Sequence, residues 1–248
     1  MTQASLSCPD ARFLLYVRSA VFFFLMSVLT VLIAPLMVLA FPFPFRIRYG
    51  LAQVWVRLVM WLLRAVCQID HHIVGLENIP DGNAIILSKH QSAWETIALQ
   101  KIFPPQVFII KRELLWLPFF GWALATCDPI AIDRKAGKAA MRQVIEQGIR
   151  RLKSGRWVVI FPEGTRVKPG VVGRYGAGGS VLAQQSGFPV VPVAHNAGRF
   201  WPRNGFIKYP GTVEVRIGKP IGPDNLSATE INHAVQDWIE GQMAEIGV

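Results

Sequence analysis

Between Arg18 and Arg46 the chain runs for 27 residues, Ser19 to Phe45, without one charged side chain. About 20 apolar residues in a helix cross the hydrocarbon core of a bilayer, so this run assigns the amino-terminal segment to lipid. Pro42 and Pro44 are placed to end such a helix, and Pro35 to kink it. A cleaved signal peptide fits poorly. Its apolar region would span about 7–15 residues and be followed by small ones, whereas this run is longer and ends in Phe41-Pro42-Phe43-Pro44-Phe45. Flanking charge does not orient the helix, because Arg12 and Arg18 on one side face Arg46 and Arg48 on the other.

A second helix is expected around Leu51 to Gln68. Its only charges, Arg57 and Arg64, lie seven apart and share a face, with Trp55 and Trp61 among the apolar side chains around the rest. Beside a segment in lipid, the pattern favours the membrane interface, where arginines snorkel and tryptophans settle. A helix packed on a soluble core is the competing reading. Residues 1–68 are therefore expected to form membrane-anchoring helices, and residues 69–248 a domain of their own.

Hydrophobic residues make up 52% of the 248 and charged ones 17%, a balance that excludes disorder. The formal net charge of +10 suits a polyanionic partner: nucleic acid, an anionic lipid surface or a phosphate-bearing substrate. Cys8, Cys67 and Cys127 are odd in number and lack a C-x-x-C spacing. That argues against a disulfide framework or a cysteine zinc site, and for chemistry facing a reducing compartment.

From Ile69 onward the texture changes. Short β-branched runs at 73–74, 84–87, 107–110, 157–161, 190–193 and 212–217 alternate with helical patterns at 94–101, 137–153, 179–186 and 228–246. Near-continuous apolar runs of this length suit strands buried on both faces. The expected fold class is α/β, with a mostly parallel central sheet flanked by helices. Ligands of such sheets sit beyond the carboxyl ends of the strands, so the segments that follow strands carry the chemistry.

His90 directly follows the strand at 84–87, where an imidazole can act as general base near neutral pH if its tautomer is held. Glu95, five residues on, is the candidate partner. In one continuous helix the two would not share a face, so they meet only if the chain turns back before the helix starts. Ser92-Ala93-Trp94-Glu95 also reads as an S-x-x-E capping box, which needs no catalytic role. Spacing leaves both readings open. After the strand at 157–161 comes Pro162-Glu163-Gly164-Thr165-Arg166, a candidate anion-binding turn in which Arg166 could grip a phosphate.

Taken together, these blocks resemble the 1-acyl-sn-glycerol-3-phosphate (lysophosphatidate) acyltransferases of the glycerolipid acyltransferase superfamily. His90 to Glu95 is similar to the family's H-x4-D block. Lys111, Glu113, Leu114, Pro118 and Gly121, with Ile132-Asp133-Arg134 downstream, resemble a second block. Phe161 to Arg166 repeats F-P-E-G-T-R without change, and Val191-Pro192-Val193 resembles the fourth. The similarity spans about residues 70 to 220. Three departures stand out: Glu95 where the family usually has aspartate, Val167 where serine is frequent, and Gly176 where lysine is common.

The resemblance implies a glycerol-3-phosphate acyltransferase-like fold and a membrane-bound enzyme. It would acylate the sn-2 hydroxyl of lysophosphatidate from acyl-CoA or acyl carrier protein, giving phosphatidate. His90 would be the base and Glu95 its orienter. Arg166 and Arg134 are the phosphate candidates, Lys111 a candidate for that phosphate or the oxyanion, and Glu163, Gly164 and Thr165 the turn that shapes the site. It further implies the bacterial inner membrane, a site on the cytoplasmic side, a lipid bilayer as partner and no resident cofactor. No metal is expected, since His71-His72 are adjacent and lack a carboxylate or cysteine at ligand spacing. Another lysophospholipid, a lyso-aminolipid or glycerol 3-phosphate is the alternative acceptor. A non-catalytic basic protein binding membrane or nucleic acid is the alternative class, although no aromatic–basic platform or helix-turn-helix pattern supports nucleic acid.

Overall fold

The computed structural model describes residues 9–247 and, within them, every side chain except those of Pro9 and Arg134. Two helices lead, α1 (Pro9–Leu39) and α2 (Phe45–Ala65). There follow β1 (Ile69–Val74), β2 (Ile85–Ser88), α3 (Trp94–Ile102), β3 (Gln106–Lys111), α4 (Phe120–Thr126), β4 (Ile130–Ile132) and α5 (Lys138–Lys153). The chain ends with β5 (Trp157–Ile160), α6 (Gly178–Ser186), β6 (Val190–His195), α7 (Ala197–Phe200), β7 (Gly211–Ile217) and α8 (Ala228–Ile246).

The seven strands form one sheet in the order β1-β7-β6-β2-β5-β3-β4. Every neighbouring pair is parallel except β6 with β7. The central strands β2, β5 and β6 are buried at every residue, which is why they read as unbroken apolar runs. Alternate side chains feed opposite layers. Ile86, Val159 and Val191 pack with α2 and α3, whereas Ile85, Leu87, Val158 and Ile160 pack with α5, α6 and α8.

Several boundaries differ from the sequence reading. The second helix starts at Phe45 rather than Leu51, because Pro44 caps it in an extended conformation instead of only ending the first helix. Pro35 lies inside α1. The short β4 and α4 were not expected, and His71 and His72 lie within β1, paired to β7, rather than before it.

The larger difference concerns the amino-terminal helices. In α2, Val56, Val59, Leu62 and Leu63 join the same core cluster as Ile86, Trp94 and Val159. The soluble-core reading of this helix therefore describes its buried face, and the packing continues across residue 68. Helix α1 is two-faced. Phe22 packs edge-on to Trp201 with ring centroids 5.6 Å apart, and Ala34 and Met37 pack with Ala52 and Ala123. The opposite face exposes Phe13, Phe24, Val31, Leu32, Leu36 and Leu39. By length and composition α1 is able to cross a bilayer.

Candidate active site

The chain leaves β2 at Ser88, and Lys89 extends the pairing by donating its N–H to the Val193 carbonyl at 2.9 Å. His90 is then gripped by the loop after β5. Its N–H donates to Glu163 Oε2 at 2.8 Å, and its carbonyl accepts from the Val167 N–H at 2.8 Å. Its ring stacks on Phe161, with centroids 4.0 Å apart and planes 13° from parallel. The H-x4-E block and the F-P-E-G-T-R block thus interlock at one histidine, although 73 residues separate His90 from Glu163.

Helix α3 begins only at Trp94, so the chain has turned before it and Glu95 reaches back. Glu95 Oε1 accepts from three donors: His90 Nδ1 at 2.8 Å, the Gln91 N–H at 3.0 Å and the Ser92 N–H at 2.8 Å. Ser92 Oγ accepts from the Trp94 N–H rather than from that of Glu95, so only half of a capping box forms. One oxygen serves as cap and as partner of the imidazole. Burial works to raise the Glu95 carboxyl, but the pull of neighbouring His195 and the hydrogen bonds from His90 and the Ser92 N–H outweigh it and hold it below the ordinary range. An ionised Glu95 accepts only, so Nδ1 of His90 carries the hydrogen, which leaves Nε2 as the ring nitrogen that can exchange a proton with a ligand.

His195, at the end of β6, is a site residue that the sequence reading passed over. It too ends a buried strand, two residues beyond Val193, and that placement was the available signal. Its Nε2–H donates to the Lys89 carbonyl at 2.8 Å, its Nδ1 accepts from the Ala197 N–H at 3.3 Å, and Nε2 lies 4.0 Å from Glu95 Oε2. Burial lowers its pKa against the pull of the Glu95 carboxylate behind it.

Glu163 turns its side chain into the fold. Its side chain is fully buried, with Oε2 on the His90 N–H and Oε1 2.8 Å from Lys89 Nζ. Burial raises its pKa against the pull of Lys89. Lys89, itself buried, also pairs with Glu240 Oε1 at 2.7 Å, and the Tyr175 hydroxyl donates to the same oxygen at 2.8 Å. Glu163 is therefore a support beneath His90 rather than part of the lining. Gly164 supplies the turn with a left-handed φ of 66°.

His90 lines a cavity of about 630 Å³. Lys111, Thr165, Arg166, Arg203 and Asn204 contribute its polar lining. Ile33, Ala34 and Met37 of α1, Ala52 and Trp55 of α2, Phe108 and Ile110 of β3 and Ala123 of α4 contribute an apolar one. His90, Lys111, Thr165 and Arg166 thus converge on one cavity, whereas Gly164 lines a second, of about 260 Å³, with Ile109 and Phe161 shared between the two. Arg134 begins a short 3-10 turn after β4, and its side chain lies outside the described residues. Among the described residues no group of three or more His, Cys, Asp or Glu could hold a metal ion. With an imidazole fixed through Nδ1, a buried carboxylate behind it and cations nearby that have no ion-pair partner among the described residues, the arrangement suits deprotonation of a hydroxyl on an anionic substrate.

Residues 70–196 match the protein family described as Acyltransferase. A 1-acyl-sn-glycerol-3-phosphate acyltransferase from Pseudomonas aeruginosa is 46% identical, the match covering 93% of this chain and 91% of that protein. One from Cocos nucifera is 30% identical over 89% of this chain and 71% of its own length. In fold, the chain is similar to the crystal structure of the 1-acyl-sn-glycerophosphate acyltransferase PlsC from Thermotoga maritima. The TM-score is 0.77 at 23% identity, covering 93% of this chain and 95% of that one.

Proposed function

The chain belongs to the acyltransferase family that holds its 1-acyl-sn-glycerol-3-phosphate acyltransferase relatives, and from that premise we propose how its residues acylate lysophosphatidate to phosphatidate. His90 Nε2 takes the proton from the sn-2 hydroxyl as the hydroxyl oxygen bonds to the thioester carbonyl carbon. The resulting imidazolium is held through Nδ1–H by Glu95. As the carbon–sulfur bond breaks, the proton passes from His90 to the departing thiolate. The acceptor hydroxyl is the nucleophile, so no acyl-enzyme is required.

Arg166 holds the acceptor phosphate, and Lys111 serves that phosphate or the developing oxyanion. Thr165 lies beside them at the cavity. The apolar lining between α1, α2 and α4 suits an acyl chain. The donor is acyl-CoA or acyl carrier protein, with no resident cofactor. The exposed apolar face of α1 anchors the enzyme in a bilayer, which we take to be the bacterial inner membrane with the site on its cytoplasmic side.

One observation carries this reading. His90 is locked between Glu95 and the F-P-E-G-T-R loop, and it lines a cavity that α1 lines as well. The test crosses purified protein and several lyso-acceptors with both donor types. Acylation of lysophosphatidate, abolished by His90→Ala, is expected. Acylation of another lyso-acceptor with none of lysophosphatidate would overturn the substrate assignment.

A further inference from the structure

The cavity beside His90 carries three cations that no carboxylate answers. Lys111, Arg166 and Arg203 all line it, and among the described residues none lies within ion-pair distance of an acid. Nearby Lys89, Arg48, Arg156 and Arg112 each have such a partner. Cations gathered in a cleft without counter-charge focus a positive potential there and draw an anion.

Arg203 belongs to none of the blocks read from the sequence. It sits in the loop between α7 and β7, which runs from the sheet to α1. The far end of that loop is pinned to α1. There the Lys208 N–H donates to Ser19 Oγ at 2.9 Å, while Lys208 Nζ lies 3.2 Å from the Phe23 ring centroid and donates to the Phe206 carbonyl at 2.8 Å. At the near end Arg203 donates through one terminal nitrogen to the Arg166 carbonyl at 2.6 Å. A guanidinium has more donors than one carbonyl can use. The Arg203 group is thus tied to the residue whose own guanidinium is the phosphate candidate, with donors to spare.

We propose that Arg203 is the second guanidinium of an anion clamp, gripping the substrate phosphate from the α7–β7 side while Arg166 holds it from the β5 side. The inference rests on the lysophosphatidate reading above. The chemistry recognised is a phosphate monoester. Coenzyme A carries one as well, and the assignment here is to the acceptor, because the clamp shares its cavity with the base that must reach the acceptor hydroxyl.

The experiment measures the KM for lysophosphatidate and for each acyl donor in the full-length protein and in Arg203→Ala, Arg203→Gln and Arg203→Lys. Melting temperatures confirm folding. Glutamine keeps a donor for the Arg166 carbonyl but removes the charge. Alanine and glutamine should raise the KM for lysophosphatidate about tenfold, with lysine restoring part of it and donor KM values unchanged. A wild-type KM for Arg203→Gln would reduce Arg203 to a clasp on the Arg166 backbone. A rise confined to the acyl-CoA KM would move the phosphate to the donor. Both results overturn the clamp while leaving the acyltransferase reading intact. A wild-type enzyme that never acylates lysophosphatidate would overturn that reading itself, and the clamp with it.

Discussion

Substituting glutamine for Glu95 separates the carboxylate's charge from its shape. The glutamine carbonyl oxygen fits the Oε1 position and accepts from the same three donors, His90, Gln91 and Ser92, at 2.8 to 3.0 Å. The amide nitrogen then falls where Oε2 stands, a buried position without a hydrogen-bond partner, facing His195 Nε2 at 4.0 Å. That nitrogen already donates to the Lys89 carbonyl, so the new N–H groups find no acceptor. An unsatisfied buried amide costs about 1–3 kcal/mol, which in a chain of this size lowers Tm by roughly 2–12 °C. The catalytic loss is separate. An imidazolium and a carboxylate with charge centres about 4 Å apart attract by about 4 kcal/mol at the effective dielectric of protein sites, and this attraction exists only once His90 has taken its proton. Its removal should lower kcat by about 10³-fold with KM values for both substrates nearly unchanged. Glu95→Asp keeps the charge on a shorter arm and should fall between. The assay is steady-state turnover with both substrates saturating, alongside thermal melts. A Glu95→Gln enzyme within tenfold of wild-type kcat would refute the argument and leave Glu95 only its capping bonds.

Arg166→Ala should raise the KM for lysophosphatidate by about 10- to 100-fold, the loss of a charge-assisted pair of about 1.5–3 kcal/mol. Its KM for the acyl donor should be unchanged, and an equal effect on both would exclude an acceptor-phosphate role. Ala34→Phe and Ala52→Phe fill the apolar side of the cavity between α1 and α2. They should shift acyl-chain preference in a mixed-donor competition toward shorter chains without changing the pH profile. Burial lowers the Lys208 amine from 10.5 to about 7. Between those values the unfolded chain holds a proton that the folded one has released, so stability should rise with pH across that window. Thermal melts from pH 6 to 9 should show that slope in wild type and lose it in Lys208→Met.

The alternation of strands and helices was legible because β2, β5 and β6 are buried on both faces, so each is apolar up to the residue at its carboxyl end. The blocks around His90 and Phe161 to Arg166 were legible because they fall just beyond strand ends, where sheets of this kind place their ligands. The role of α2 was not, since a helix face that meets lipid and one that meets a sheet are apolar in the same way. Its Val56, Val59, Leu62 and Leu63 pack with β1, β2 and α3, while Val54, Leu58 and Trp61 stay exposed. Glu95 posed a related problem, because spacing set its two roles against each other, and the turn before α3 let a single oxygen perform both. Glu163 read as part of the turn that shapes the site, and in the fold it points toward Lys89 and the His90 backbone. His195 and Arg203 reach the site from β6 and from the loop pinned to α1, more than 100 residues beyond His90. Residue type and local spacing record what a strand end needs, whereas partners brought together from distant segments are decided by the topology of the sheet and the helix laid along it.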